Sequence, residues 1–219
     1  MQIKFDDYSV EVNVTDPTDH MQKCWAGGVF YEAQRNGLLQ WYANNVEKGL
    51  RWIDVGACIG NHTLFMWSVM EADFVESWEP VESNYKQLIA NISLNGCRDL
   101  ALPFAASDDH RKYQAEAYGE NNSGMYRITE RVDGTVRSET IDYVNPLPCP
   151  PTDVIKIDVE GHEVHVVRGA MRTLEAYHPL LTIERPDAGN LAALDALLLP
   201  LDYERLPIVL NHTPTYVWR

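Results

Sequence analysis

Apolar and β-branched runs recur along the chain at 51–56 (RWIDVG), 74–80 (FVESWEP), 102–107 (LPFAAS), 153–159 (DVIKIDV) and 180–185 (LLTIER). Gly, Pro, Asn or Asp bound each run, and together they predict five strands. Helix-like segments lie between them at 62–72, 83–94 and 162–177. Strand alternating with helix means parallel strands joined by crossovers, and so an open, doubly wound α/β sheet of Rossmann-like type with helices on both faces. The tail LDYERLPIVLNHTPTYVWR departs from this rhythm and predicts two strands pairing as a C-terminal antiparallel hairpin. Ahead of the first strand, FYEAQRNGLLQWYANN predicts a helix across one end of the sheet, so that residues 1–50 form a strand-and-helix cover. Residues 108–150 are polar, with short β-like pieces and a proline-rich end, and read as an irregular β insertion near an active-site mouth.

At 219 residues, 45% of them hydrophobic, the chain suits one α/β domain over 1–219. Asp and Glu number 32 against 18 Lys and Arg, a formal net charge of −14, so the surface field repels phosphate backbones and anionic headgroups. Neither nucleic acid nor a membrane is an expected partner. The start MQIKFDDYSVEVNV has acids where a signal peptide needs an apolar core, and no run approaches the ~20 apolar residues of a membrane span, which points to the cytoplasm. Cysteines at 24, 58, 97 and 149 form no Cys-x-x-Cys pair and read as reduced thiols.

The first strand runs into DVGACIGNHT, a turn through Gly56 and Gly60 that opens a helix. Its Gly-x-x-x-Gly spacing is neither the Gly-x-Gly-x-x-Gly that cradles a dinucleotide pyrophosphate nor the Gly-Lys-Ser/Thr of a nucleoside triphosphate loop. Asp54 ends the strand and suits a cation such as an amino group. Glu79, at the tip of the second strand, suits the two hydroxyls of a ribose. A turn that avoids phosphate, an acid for an amine and an acid for a ribose together describe S-adenosylmethionine.

The fourth strand carries Lys156 and Asp158 among apolar residues, and Glu160, Gly161, His162 and Glu163 crowd its carboxyl end. In IDVGACIGNHT, the strand-two end EP, NYKQLIANISLNG, IKIDVEGHEVHVVRGA and PLLTIE, the chain resembles the FkbM family of S-adenosylmethionine-dependent methyltransferases over roughly residues 30–186. The resemblance implies a class I methyltransferase fold and methylation of a hydroxyl on a sugar, a glycan or a natural product. Carried over by position, Asp54, Gly56 and Gly60, with Ala57 and Asn61 beside them, contact the methionine half of the cofactor. Glu79 holds the ribose, Asp158 faces the reaction centre, and Ala106, Ser107 and Asp108 border the adenine. The family commonly has Asn where Cys58 stands, so no side-chain contact is carried over there.

Methyl transfer from a sulfonium is an in-line displacement that needs an aligned acceptor and a route for its proton. The candidates are Asp158, Glu160, His162 and Glu184, with Asp158 first. Val164, Val167, Met171 and Leu174 form the buried stripe of the following helix, which turns His162 toward solvent and leaves Glu163 as a buried acid. Asp158, Glu160 and Glu184 also offer oxygen ligands to a hard divalent cation. HEVH has its histidines three apart and is not the zinc motif. Trp25, Tyr31, Tyr118 and Tyr126 offer stacking faces for a sugar ring. Lys156 is the last lysine of the chain, so the later lysine of an RNA 2′-O-methyltransferase set is missing, and NPLP at 145–148 precedes the fourth strand where a DNA amino-methyltransferase signature follows it. The competing readings are a nicotinamide-dependent oxidoreductase and a protein that binds S-adenosylmethionine without turnover.

Overall fold

The computed structural model describes residues 1–97, 99–184 and 188–219. The chain opens with a hairpin, β1 (Gln2–Phe5) and β2 (Tyr8–Glu11), whose alternation buries Ile3, Phe5 and Val10. Asp19 starts α1 (His20–Ala26) by accepting from the Gln22 amide at 2.9 Å. Of the helix predicted within 30–45, only α2 (Leu38–Asn45) forms; the preceding residues are turns.

The parallel strands β3 (Arg51–Val55) and β4 (Phe74–Trp78) flank α3 (Asn61–Ser68), and α4 (Glu82–Leu94) leads to the short β5 (Leu100–Leu102). The apolar run predicted as one strand at 102–107 divides there, because β6 (Ala105–Ala106) leaves the main sheet for a second one. That second sheet is the 108–150 insertion: β7 (Lys112–Ala117), β8 (Tyr126–Glu130) and β9 (Val136–Glu139), in the order β6-β9-β7-β8, followed by α5 (Ile141–Val144).

Beyond it come β10 (Val154–Ile157), α6 (Glu163–Arg168), α7 (Met171–Tyr177), β11 (Leu180–Glu184), α8 (Ala188–Leu198) and β12 (Thr215–Trp218). The helix predicted over 162–177 is thus two helices. Gly169 lies so close to the Ser107 carbonyl that a Cβ there would sit 1.9 Å from its oxygen, and Asp142 restarts the helix by accepting from the Arg172 and Thr173 amides, each at 2.9 Å. Arg185, the end of the predicted fifth strand, lies outside the described residues.

The main sheet has the order β12-β11-β10-β3-β4-β5. All neighbours are parallel except β12, which runs antiparallel to β11. The tail closes as a hairpin with an irregular first arm: Glu204 and Arg219 exchange backbone hydrogen bonds at 2.6 and 3.0 Å, and Leu206 donates to Val217 at 2.8 Å, without a continuous strand. One core packs the N-terminal cover onto α3, with Phe5 and Phe30 edge-on to Phe65 at 5.0 and 5.8 Å. This leaves α3 buried on all sides from Asn61 to Met66. The second core joins Ile155, Ile157, Leu181 and Ile183 to the helices that follow β10 and β11. Chain order reverses between β3 and β10, the place where an open α/β sheet forms its ligand crevice.

Candidate functional site

A cavity of about 280 Å³ opens at that reversal, over the carboxyl ends of β3, β4 and β10. Its floor is the glycine turn. Gly56 has φ +78°, and a Cβ there would lie 1.8 Å from the Asp158 carbonyl oxygen, so only glycine lets the turn and the end of β10 approach. Gly56 and Ala57 both donate to the Trp78 carbonyl, at 3.0 and 2.9 Å, which ties the turn to β4.

Glu79 lines this floor with one oxygen on the Cys58 amide and the other on the Val81 amide, both at 2.8 Å. Each oxygen keeps a second lone pair for a ligand hydroxyl. Burial, only partly offset by those two amides, raises its pKa to about 7. Burial also pushes the Cys58 thiol far up, so it is no nucleophile.

Asp54 takes a different part from the one expected. It is fully buried and does not reach the cavity, because its register partner on β10 is Lys156, and neighbours in register point to the same face. Lys156 Nζ lies 3.1 Å from Asp54 and 3.6 Å from Asp158, and donates to the Gly56 carbonyl at 2.9 Å. Burial alone would depress the Lys156 pKa; the charges of Asp54 and Asp158 outweigh it and hold the ammonium ionised. The acid thus neutralises a lysine under the turn.

Four other expected contacts also stand back from the cavity. Gly60 faces Leu88 of α4, Asn61 binds the N-terminal cover, Ser107 is buried against His162, and Asp108 pairs with His165. Gly56, Ala57, Glu79 and Asp158 do line it. Trp25 is fully buried with its indole N–H on Asn61 and offers no stacking face, whereas Tyr31, Tyr118 and Tyr126 are on the wall.

At the far end, Glu184 stands beside Asp158 on the cavity wall. Burial, then the Asp158 charge, push Glu184 far above the usual carboxylate range, so it carries a proton at neutral pH. Glu160 accepts from the Tyr118 hydroxyl. Among the described residues no group of three or more His, Cys, Asp or Glu is placed to hold a metal ion. The divalent-cation reading is corrected accordingly.

His162 is not turned to solvent. It is 9% exposed, stacks on His165 at 4.4 Å, meets the edge of Tyr113 at 5.4 Å and bonds Ser107 Oγ through Nε2 at 3.0 Å. Burial, with His165 beside it, lowers its pKa to about 4. His162 precedes α6 as its non-helical N-cap, so its ring does not follow the helical stripe, and it lines the cavity. Glu163 is buried as expected and accepts from the Gly161 amide at 2.8 Å.

Two residues that the sequence did not single out also line the cavity: Glu32 and His62, paired at 3.0 Å. The β7–β8 turn reaches back over the glycine turn, where the Ser123 amide donates to Asp19, its carbonyl accepts from Asn84 and its hydroxyl accepts from the Cys58 thiol.

A family model described as the methyltransferase FkbM domain matches residues 54–204. No curated protein matches the chain. Among solved structures, the chain is similar to a methyltransferase FkbM from Methylobacillus flagellatus KT (TM-score 0.55, 19% identity). The likeness covers 78% of this chain and 43% of that one, so the chain spans less than half the length of that relative. It is also similar to a precorrin-6y C5,15-methyltransferase from Geobacter metallireducens GS-15 (TM-score 0.51, 12% identity, 86% and 92% covered). A third is a fibrillarin from Aeropyrum pernix with natively bound S-adenosyl-L-methionine (TM-score 0.51, 8% identity, 79% and 67% covered). The nicotinamide and non-catalytic alternatives give way to the family match. No helix among the described residues is long and apolar enough to cross a membrane.

Proposed function

Because the chain belongs to the methyltransferase FkbM family, we propose that this S-adenosylmethionine-dependent methyltransferase acts on a hydroxyl of a sugar, a glycan or a small natural product. The observation that carries the reading is the make-up of the cavity. One end is the glycine turn with Glu79; the rest of the wall carries Tyr31, Tyr118 and Tyr126 with the neighbouring acids Asp158 and Glu184. Tyrosine faces and paired carboxyls suit a polyhydroxylated acceptor. Arg127 is the one Lys or Arg among the described lining residues, which is poor provision for a phosphate backbone. The net charge of −14 argues the same way.

The bound cofactor supplies an electrophilic methyl on a sulfonium. Of the lining residues, the backbone of Gly56 and Ala57 would give its methionine end a close approach, Glu79 would accept from the ribose hydroxyls, and Ala105 and Ala106 would border the adenine. Asp158, with Glu184 beside it, orients the acceptor by accepting a hydrogen bond from one of its hydroxyls. The test is calorimetric titration with S-adenosylhomocysteine, with NAD as control, followed by transfer of labelled methyl to a panel of methyl glycosides. Binding of NAD instead, or turnover on RNA rather than glycosides, would overturn the reading.

Glu79→Gln is expected to weaken S-adenosylhomocysteine binding by about 1–3 kcal/mol, the cost of losing a charged acceptor. The same group fixes a pH dependence. Its folded pKa of about 7 lies above the ordinary glutamate range, so the stability contribution of the protonated carboxyl is complete at acid pH and is lost as pH rises through about 7. Ribose hydroxyls favour the carboxylate. Wild-type affinity should therefore strengthen as pH rises through that value, and the profile of the Gln variant should be flat there; parallel profiles would remove Glu79 from the ribose.

A further inference from the structure

We propose that His62, oriented by Glu32, is the base that takes the proton from the acceptor hydroxyl. The inference rests on the hydroxyl-acceptor reading above. His62 Nε2 lies 3.0 Å from Glu32 Oε2, and the two side chains are 6% and 8% exposed, both on the cavity wall. In the Nε2–H tautomer that donates to the carboxylate, the lone pair is on Nδ1, which has no hydrogen-bond partner among the described residues. A histidine with one nitrogen held by a buried acid and the other free beside a substrate cavity is the arrangement of a general base and its orienting group.

The surrounding chain keeps this pair in place at some cost. Glu32 has φ +63°, a left-handed conformation that a residue with a Cβ seldom adopts. It is held there by Asn61, which accepts from the Tyr31 amide and donates to the Tyr31 carbonyl, both at 3.0 Å, and also takes the Trp25 indole N–H at 3.0 Å. Asn61 precedes His62 at the start of α3, so the same turn that approaches the cofactor fixes both members of the dyad. His162, in contrast, has its Nε2 on Ser107.

In the reaction, the acceptor oxygen forms its bond to the methyl carbon as the carbon–sulfur bond breaks, with the bonding pair passing to sulfur. The hydroxyl proton passes to His62 Nδ1, leaving an imidazolium beside the Glu32 carboxylate.

The first test needs neither cofactor nor acceptor. In the free protein labelled with 15N-histidine, two-bond 15N–1H correlations should show His62 as the Nε2–H tautomer, and Glu32→Gln should relax that preference; an Nδ1–H tautomer in the wild type overturns the proposal. The second uses S-adenosylhomocysteine binding as a check on folding and the methyl glycoside panel as acceptors. His62→Gln should keep the affinity and the acceptor KM while kcat falls about 10²–10⁴-fold, the usual worth of a positioned base. Glu32→Gln, a positioning change, should lower kcat less. If wild type and His62→Gln turn over equally, the base assignment alone fails. If the wild type binds S-adenosylhomocysteine and methylates no glycoside, the hydroxyl reading fails and the base assignment falls with it.

Discussion

Replacing Lys156 by methionine should cost about 3–5 kcal/mol of folding stability, the penalty for removing one partner of a buried ion pair. Methionine nearly matches the lysine in shape, so the loss is electrostatic and not a cavity effect. It leaves the Asp54 carboxylate fully buried with only the Thr63 hydroxyl, at 2.7 Å, as a donor. It also strips the Gly56 carbonyl of its hydrogen bond from Nζ. Urea unfolding at neutral pH measures the change directly, as a lower midpoint at constant m. The double variant Lys156→Met with Asp54→Leu should recover much of the loss, because the stranded charge goes with its partner. A single variant as stable as wild type would mean that the two side chains are not an ion pair.

The second large effect concerns turnover. Asp158→Asn should reduce kcat about 10²–10³-fold, a magnitude typical of removing one preorganised polar group from a reaction centre. Cofactor affinity should change far less, since Glu79 and the glycine turn are untouched. The fold should survive, because Lys156 keeps the nearer partner, Asp54, at 3.1 Å. The variant also carries its own spectroscopic check. The Asp158 charge is one reason Glu184 holds its proton, so its removal should bring the Glu184 pKa down, visible by 13C-NMR of the labelled carboxyl. A variant with full activity would take Asp158 out of the reaction.

The fold and half of the site were legible because they rest on local patterns. The strand runs at 51–56 and 153–159, the glycine turn between strand and helix, and Glu79 at a strand tip are all signalled within a few residues of themselves. What escaped depends on pairing across the chain. Asp54 looked like a cofactor ligand because its neutralising lysine lies on another strand, visible only once β3 and β10 are in register. His162 looks exposed when placed on the helical stripe, but it is the non-helical N-cap of α6, buried by Ser107 and Tyr113 from a separate part of the chain. His62 was read as a helix start and Glu32 as part of a helix, and no local signal joins residues thirty positions apart. The tail was recognisable as a hairpin, yet the irregularity of its first arm was not.

The clamp that Asn61 makes has a practical consequence for producing this protein. Asn61 opens an Asn-His-Thr triplet and Asn91 an Asn-Ile-Ser triplet, the acceptor pattern for N-linked glycosylation. Both side chains are completely buried, and both ends of each amide are engaged: Asn61 on Tyr31 and Trp25, Asn91 on the Asn13 amide and the Ile59 carbonyl. A sugar attached to either nitrogen during synthesis would sit where the chain must close, so a host that secretes the protein through a glycosylating compartment should deliver misfolded material. Expression in a bacterial cytosol avoids this.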